Sequence, residues 1–154
     1  MSDGSGVVVR PVTASDRDSW MPLWKGYLDF YREDLPQETT DHTFERLCDQ
    51  RDAMFGFVAD SAGQLLGIVN ALLHPSTWSM TSYCYLEDLF VARTARGQDI
   101  AKSLIDAVAK EAGSRGADHL YWHTQEFNGA ARSLYDQVAR LTSMRVYERH
   151  LNHR

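Results

Sequence analysis

A chain of 154 residues that is 44% hydrophobic and 24% charged has the size and composition to bury one globular core. Its net charge of −5 argues against a general nucleic-acid binder, which needs clustered basic surface to neutralise phosphate, and is compatible with a cationic amine substrate. Two cysteines, Cys48 and Cys84, are too few for a disulfide scaffold or a cysteine-rich zinc site, so a reducing cytoplasm is the expected setting. No apolar run approaches the length of a membrane span, and residues 1–6 lack the basic and apolar regions of a signal peptide. They read as a disordered leader to a single domain over residues 7–154. The histidines show no His-x-x-x-His or similar spacing, so no metal is expected.

In chain order, residues 7–12 predict a short first strand, with Pro11 at its end or on an edge. Thr13 or Ser15 can cap a helix carrying Trp20, Trp24, Tyr27 and Tyr31 along one stripe, and Pro22 predicts a kink or a fresh start within it. Leu35-Pro36 breaks the chain before a second short helix over residues 40–49. Residues 54–59 and 65–74 read as two strands joined by a hairpin at residues 60–63. After a turn at Pro75 comes a strand around Tyr83, then an arginine- and glycine-rich turn, then a helix. That helix places Ile100, Leu104, Ile105 and Val108 on one face and stops near Gly113 or Gly116.

The turn between them, Arg93 to Asp99, opens a helix. A helix start carries unpaired N–H groups and partial positive charge, and nearby arginines add attraction, so the segment is a candidate anion cradle or an ordinary connection. A strand over residues 120–123 follows. Asn128 then caps a helix with Ala131, Leu134, Tyr135 and Val138 on one face, and a split closing strand is expected over residues 138–147. No repeat or linker interrupts this order. The sequence of elements, β-α-α-β-β-β-α-β-α-β, predicts an α+β fold: a central mixed sheet with helices on both faces.

Arg96-Gly97-Gln98-Asp99-Ile100-Ala101, preceded by Leu86 to Val91 and followed by Asn128 to Tyr135 and Arg145 to Tyr147, resembles the GNAT superfamily of N-acetyltransferases. The resemblance spans about residues 8–151. It implies the same mixed-sheet topology, with the fourth and fifth strands splayed apart to admit the cofactor. It also implies an enzyme that transfers acetyl from acetyl-CoA to a primary amine of a small molecule, amino acid, polyamine or peptide. The alternative is a non-catalytic CoA-binding or protein-interaction module of the same fold, and, because many relatives pair through their last strands, a homodimer is expected.

The resemblance further implies roles for particular residues. Backbone N–H groups from Arg96 through Gly97, Gln98, Asp99 and Ile100 to Ala101 would meet the pyrophosphate, and one in the Leu89, Phe90, Val91 stretch would polarise the acetyl carbonyl. Tyr135 matches a tyrosine that donates a proton to the departing thiolate, and Asn128 can bond the pantetheine as well as cap its helix. Glu87 matches a glutamate that takes the amine proton, with His123 as the rival. Strand alternation sends Asp88 to the opposite face. The first two helices would wall the acceptor pocket, bringing Trp24, Tyr27 and Tyr31 to substrate, although the same stripe suits a core. Asp99 departs from the pattern, since the family's main loop glycine falls there. Its carboxylate opposes phosphate, or caps the helix.

Overall fold

The computed structural model describes residues 6–96, 99–125 and 128–151, which leaves Gly97 and Gln98 outside the described residues. The chain divides into two compact units, Met1–His123 and Thr124–Arg154. The first holds a five-stranded sheet in sequential order: β1 (Val7–Pro11), β2 (Met54–Ser61), β3 (Gln64–His74), β4 (Ser82–Val91) and β5 (Ala117–Tyr121). The first four strands pair antiparallel and β5 lies parallel to β4, which makes the sheet mixed.

Two helices cover one face. In α1 (Arg17–Phe30) and α2 (Gln37–Cys48), Trp20, Leu23, Trp24, Phe44 and Leu47 pack with Val58, Leu65 and Ile68 of the strands. The helix α3 (Ile100–Ser114) covers the other face, where Ile100 and Leu104 come so close to Gly67 that a Cβ there would lie within 3.2 Å of both. Burying apolar side chains of this size contributes roughly 1.5–3 kcal/mol each.

Local chemistry fixes the element ends. Arg10 of β1 makes two 2.8 Å bonds to Asp16, whose carboxylate also accepts from the Thr13 backbone N–H. The Arg10 guanidinium holds the Asp16 carboxyl below the usual range. The β2–β3 hairpin turns through Ala62 and Gly63, both with positive φ, and the Gly63 N–H donates to Asp60 at 2.8 Å. Of the kink or fresh start expected at Pro22, no fresh start occurs: α1 is one helix. The missing proline N–H forfeits a single bond, to exposed Asp18 near the helix start, where its loss costs least. Gly116, at φ 96°, follows the end of α3.

In the second unit α4 (Gly129–Val138) is capped by Asn128, whose side chain accepts from the Ala131 N–H. The expected closing strand does not form: residues 139–151 are irregular, with Leu141, Met144, Val146 and Tyr147 exposed. Alternating apolar residues make a strand only where a neighbouring edge accepts their hydrogen bonds.

Candidate active site

The register of β3 on β4 shifts within the strand. Ala71 stands opposite Leu86 and Asn70 opposite Asp88, so Glu87 is an extra residue, a β-bulge. This corrects the expectation that alternation separates the two carboxylates. The shift turns Asp88 onto the side of Asn70, whose amide donates to Asp88 Oδ2 at 3.1 Å, and Glu87 lies close enough to repel it. Asn70 is itself only 2% exposed.

Burial pushes the Asp88 carboxyl up to about 6, with repulsion from Glu87 adding to the rise and the bonds from Asn70 and Tyr27 opposing it. Tyr27 reaches down from α1, and its hydroxyl donates to the Glu87 backbone carbonyl at 3.3 Å beside the Asp88 carboxylate. Burial raises the Tyr27 phenol, and Asp88 and Glu87 raise it further, so it stays protonated. Tyr31 packs on Tyr27 with ring centroids 4.9 Å apart, and burial and Asp88 raise its phenol too. Tyr85 stands on the same side of β4. Burial, Glu87 and Asp88 lift its hydroxyl to about 12. A carboxylate pair thus lies under a tyrosine wall.

Trp24 does not join that wall. It is 5% exposed, stacks between Trp20 and Tyr27, and donates its indole N–H to Thr40 at 3.1 Å, which makes it a core residue. His123 is exposed and its Nδ1 lies 3.1 Å from the Tyr85 hydroxyl, so it sits beside the cleft rather than in contact with either carboxylate in the bonds described.

The other end of β4 bears on anion binding. The ladder to β5 stops at Tyr85 opposite Tyr121, the last residue of β5, while β4 runs on to Val91, so Leu89, Phe90 and Val91 lie beyond the paired stretch. Phe90 packs against Gly26 of α1 and under the Arg96 guanidinium, which also donates to the Val91 carbonyl. Asp99 occupies the N-cap of α3 at φ 58°, a left-handed conformation in which its side chain makes no capping bond. Aspartate tolerates that region better than most residues, and glycine best. The Asp99 side chain therefore leaves the first-turn N–H groups at Ile100 and Ala101 uncapped, and Arg93 and Arg96 precede them in the chain. That arrangement fits a phosphate. In the second unit, Tyr135 lies half-buried on α4, one turn beyond Ala131.

Sequence reasoning gave no site role to Asn70, Tyr85 or Tyr121, and it set Asp88 on the face away from Glu87. Asn70 alone left a trace, as a single polar residue in the apolar run of β3.

The model of the Acetyltransferase (GNAT) family matches residues 20–139. The D-amino-acid N-acetyltransferase HPA3 of Saccharomyces cerevisiae is 31% identical over 145 residues, covering 93% of this chain and 90% of the yeast protein. The solved ribosomal-protein-alanine N-acetyltransferase from Brucella melitensis biovar Abortus 2308 superposes with a TM-score of 0.74 at 25% identity, over 94% of this chain and 99% of that one. The aminoglycoside N-acetyltransferase AAC(6')-Iy in complex with CoA gives a TM-score of 0.82 at 20% identity, over 97% and 98%, a likeness of fold.

Proposed function

Because the chain belongs to the Acetyltransferase (GNAT) family, we propose that it moves the acetyl group of acetyl-CoA to a primary amine by direct attack. The observation that carries this reading is the bulge in β4, which sets Glu87 and Asp88 side by side under Tyr27. Acetyl-CoA, when bound, supplies the activated acetyl thioester. The start of α3, which the Asp99 side chain does not cap and which Arg93 and Arg96 precede in the chain, suits its pyrophosphate, and the part of β4 beyond its pairing with β5 suits its pantetheine arm.

The carboxylate pair has two tasks. It attracts an ammonium, and one member then removes a proton so that the nitrogen lone pair is free. We assign that base to Asp88 rather than Glu87. Its value near 6 lies close to working pH, where a general base combines an ionised population with useful basicity, and Glu87 is solvated. Backbone N–H groups of Leu89 to Val91 are the donors to the acetyl oxygen, a role worth about 10²–10³ in rate. Tyr135 is the proton donor to the departing sulfur, supported by its place in the family pattern, and Asn128 a pantetheine contact.

The test is a calorimetric titration with acetyl-CoA followed by thiol release against an amine panel. Binding with turnover that falls as pH drops through about 6, and an Asp88→Asn variant at least about 10²-fold slower, is the expected result. Tight binding with no turnover on any amine would identify a non-catalytic module instead.

A further inference from the structure

Beyond the carboxylate pair, the same face of the sheet is paved with rings. Tyr83 and Tyr85 of β4 stand beside His119 and Tyr121 of β5, with His74 at the end of β3 and His123 after β5. Tyr85 and Tyr121 stack with centroids 5.0 Å apart, and Tyr83 and His119 at 4.4 Å. His74 and Tyr121 meet edge-on at 5.8 Å. The platform is continuous with the acid pair, since Tyr85 is the residue on this face just before the bulge. Tyr83, Tyr85 and Tyr121 are half-buried, and His119 and His123 are exposed.

The polar tips of Tyr121, His74, Tyr85 and His123 are already partnered. The Tyr121 hydroxyl lies 2.8 Å from His74 Nε2, and the Tyr85 hydroxyl 3.1 Å from His123 Nδ1. What Tyr85 and Tyr121 offer a ligand is therefore ring surface held in place in advance rather than spare hydroxyls. Nor does it suit a second cation. Past Glu87, the face that these strands present carries rings and the aliphatic Leu72, and the side chain of Asp118 bonds instead to Ser79.

We propose that the acceptor is a monoamine bearing an aromatic ring, its nitrogen at Glu87 and Asp88 and its ring against Tyr85 and Tyr121. About two strand residues, roughly 7 Å, separate the acid pair from the nearest platform rings, the span of an arylethylamine. The proposal rests on the acetyltransferase reading above and deepens it.

The experiment compares kcat/KM for 2-phenylethylamine, n-butylamine and spermidine, by thiol release from acetyl-CoA, in the full chain and in Tyr121→Ala and Tyr121→Phe. Phenylethylamine should exceed both other amines by roughly tenfold or more, the usual size of one pocket discrimination. Tyr121→Ala should bring the ratio to butylamine towards one, and Tyr121→Phe, which keeps the ring, should preserve it. A fold defect slows all amines alike and leaves that ratio unmoved. Equal turnover of phenylethylamine and butylamine, a preference for spermidine, or a ring preference that survives Tyr121→Ala overturns the proposal while the acetyltransferase reading stands. If acetyl-CoA binds and no amine is acetylated, that reading falls and this one with it.

Discussion

Asn70 and Asp88, on neighbouring strands, face each other across the sheet, and the amide of the first donates to the carboxylate of the second at 3.1 Å. The bond favours the ionised form of a carboxyl that burial otherwise pushes towards neutrality. Asn70→Leu keeps the volume and removes the donor. The acidic limb of the pH–rate profile should then move from about 6 to higher pH, with acetyl-CoA affinity unchanged by titration. A limb that stays in place would remove Asp88 from the role of base.

Gly56 provides the room for that amide. A Cβ at this position would stand 3.0 Å from Asn70 Oδ1 and 3.1 Å from the Val69 carbonyl, closer than ordinary van der Waals contact. Gly56→Ala should therefore cost about 1–3 kcal/mol in denaturant unfolding and shift the acidic limb in the same direction as Asn70→Leu. Unchanged stability and an unchanged limb together would show that the amide is held by something else.

Asp88 should also be visible in stability. Well below 3.8, its ordinary value, it is protonated folded and unfolded alike. Above about pH 6 it is ionised in both, and the folded state alone bears the desolvation cost. Its raised value therefore makes wild-type stability fall as pH climbs from 3.8 to about 6, by about 3 kcal/mol in all. Asp88→Asn should raise Tm at about pH 8 and leave it nearly unchanged at about pH 3. A variant that is no more stable at the higher pH contradicts the burial of this charge.

At the start of α3, Asp99→Gly should leave folding stability within about 1 kcal/mol, because glycine suits the left-handed conformation but loosens the unfolded chain. Acetyl-CoA binding should be unchanged or tighter by calorimetry once the carboxylate is gone, and Arg96→Ala should weaken it. Loss of binding in a folded Asp99→Gly protein would give the carboxylate a positive role.

Tyr135→Phe keeps the ring and removes the proton. It should lower kcat roughly 10²-fold with little change in acetyl-CoA affinity, whereas a tyrosine that serves only packing would leave kcat nearly intact.

What the sequence made legible is what is encoded locally. The hairpin at Ala62-Gly63, the cap at Asn128 and the helix face of Ile100, Leu104 and Val108 each follow from a few adjacent residues, and the structure has all three. The pairing of Asn70 with Asp88 follows from the register between two strands. A one-residue bulge there undoes any face assigned by counting in twos, and it misplaced Asp88. Trp24 shows a different gap. A stripe of aromatics on α1 runs from core to cleft without changing character, and only the Thr40 partner of its indole reveals which side of that boundary it occupies. Residues 139–151 have the composition of a strand and lack the ladder, because pairing depends on an edge that composition does not describe.

The bulge at Glu87 also divides β4 into two independently variable lengths. Before it, odd-numbered residues bring Tyr83 and Tyr85 to the acceptor face while Cys84 and Leu86 are buried behind them. After it, even-numbered residues do so, bringing Asp88 to Asn70 and Phe90 to Gly26. A substitution at Tyr83 or Tyr85 can thus alter what lies along the platform without disturbing the residues that handle the proton. A single-residue insertion or deletion between them would exchange the two faces at once. The register of β4 on either side of Glu87 is therefore the one property on which both faces depend.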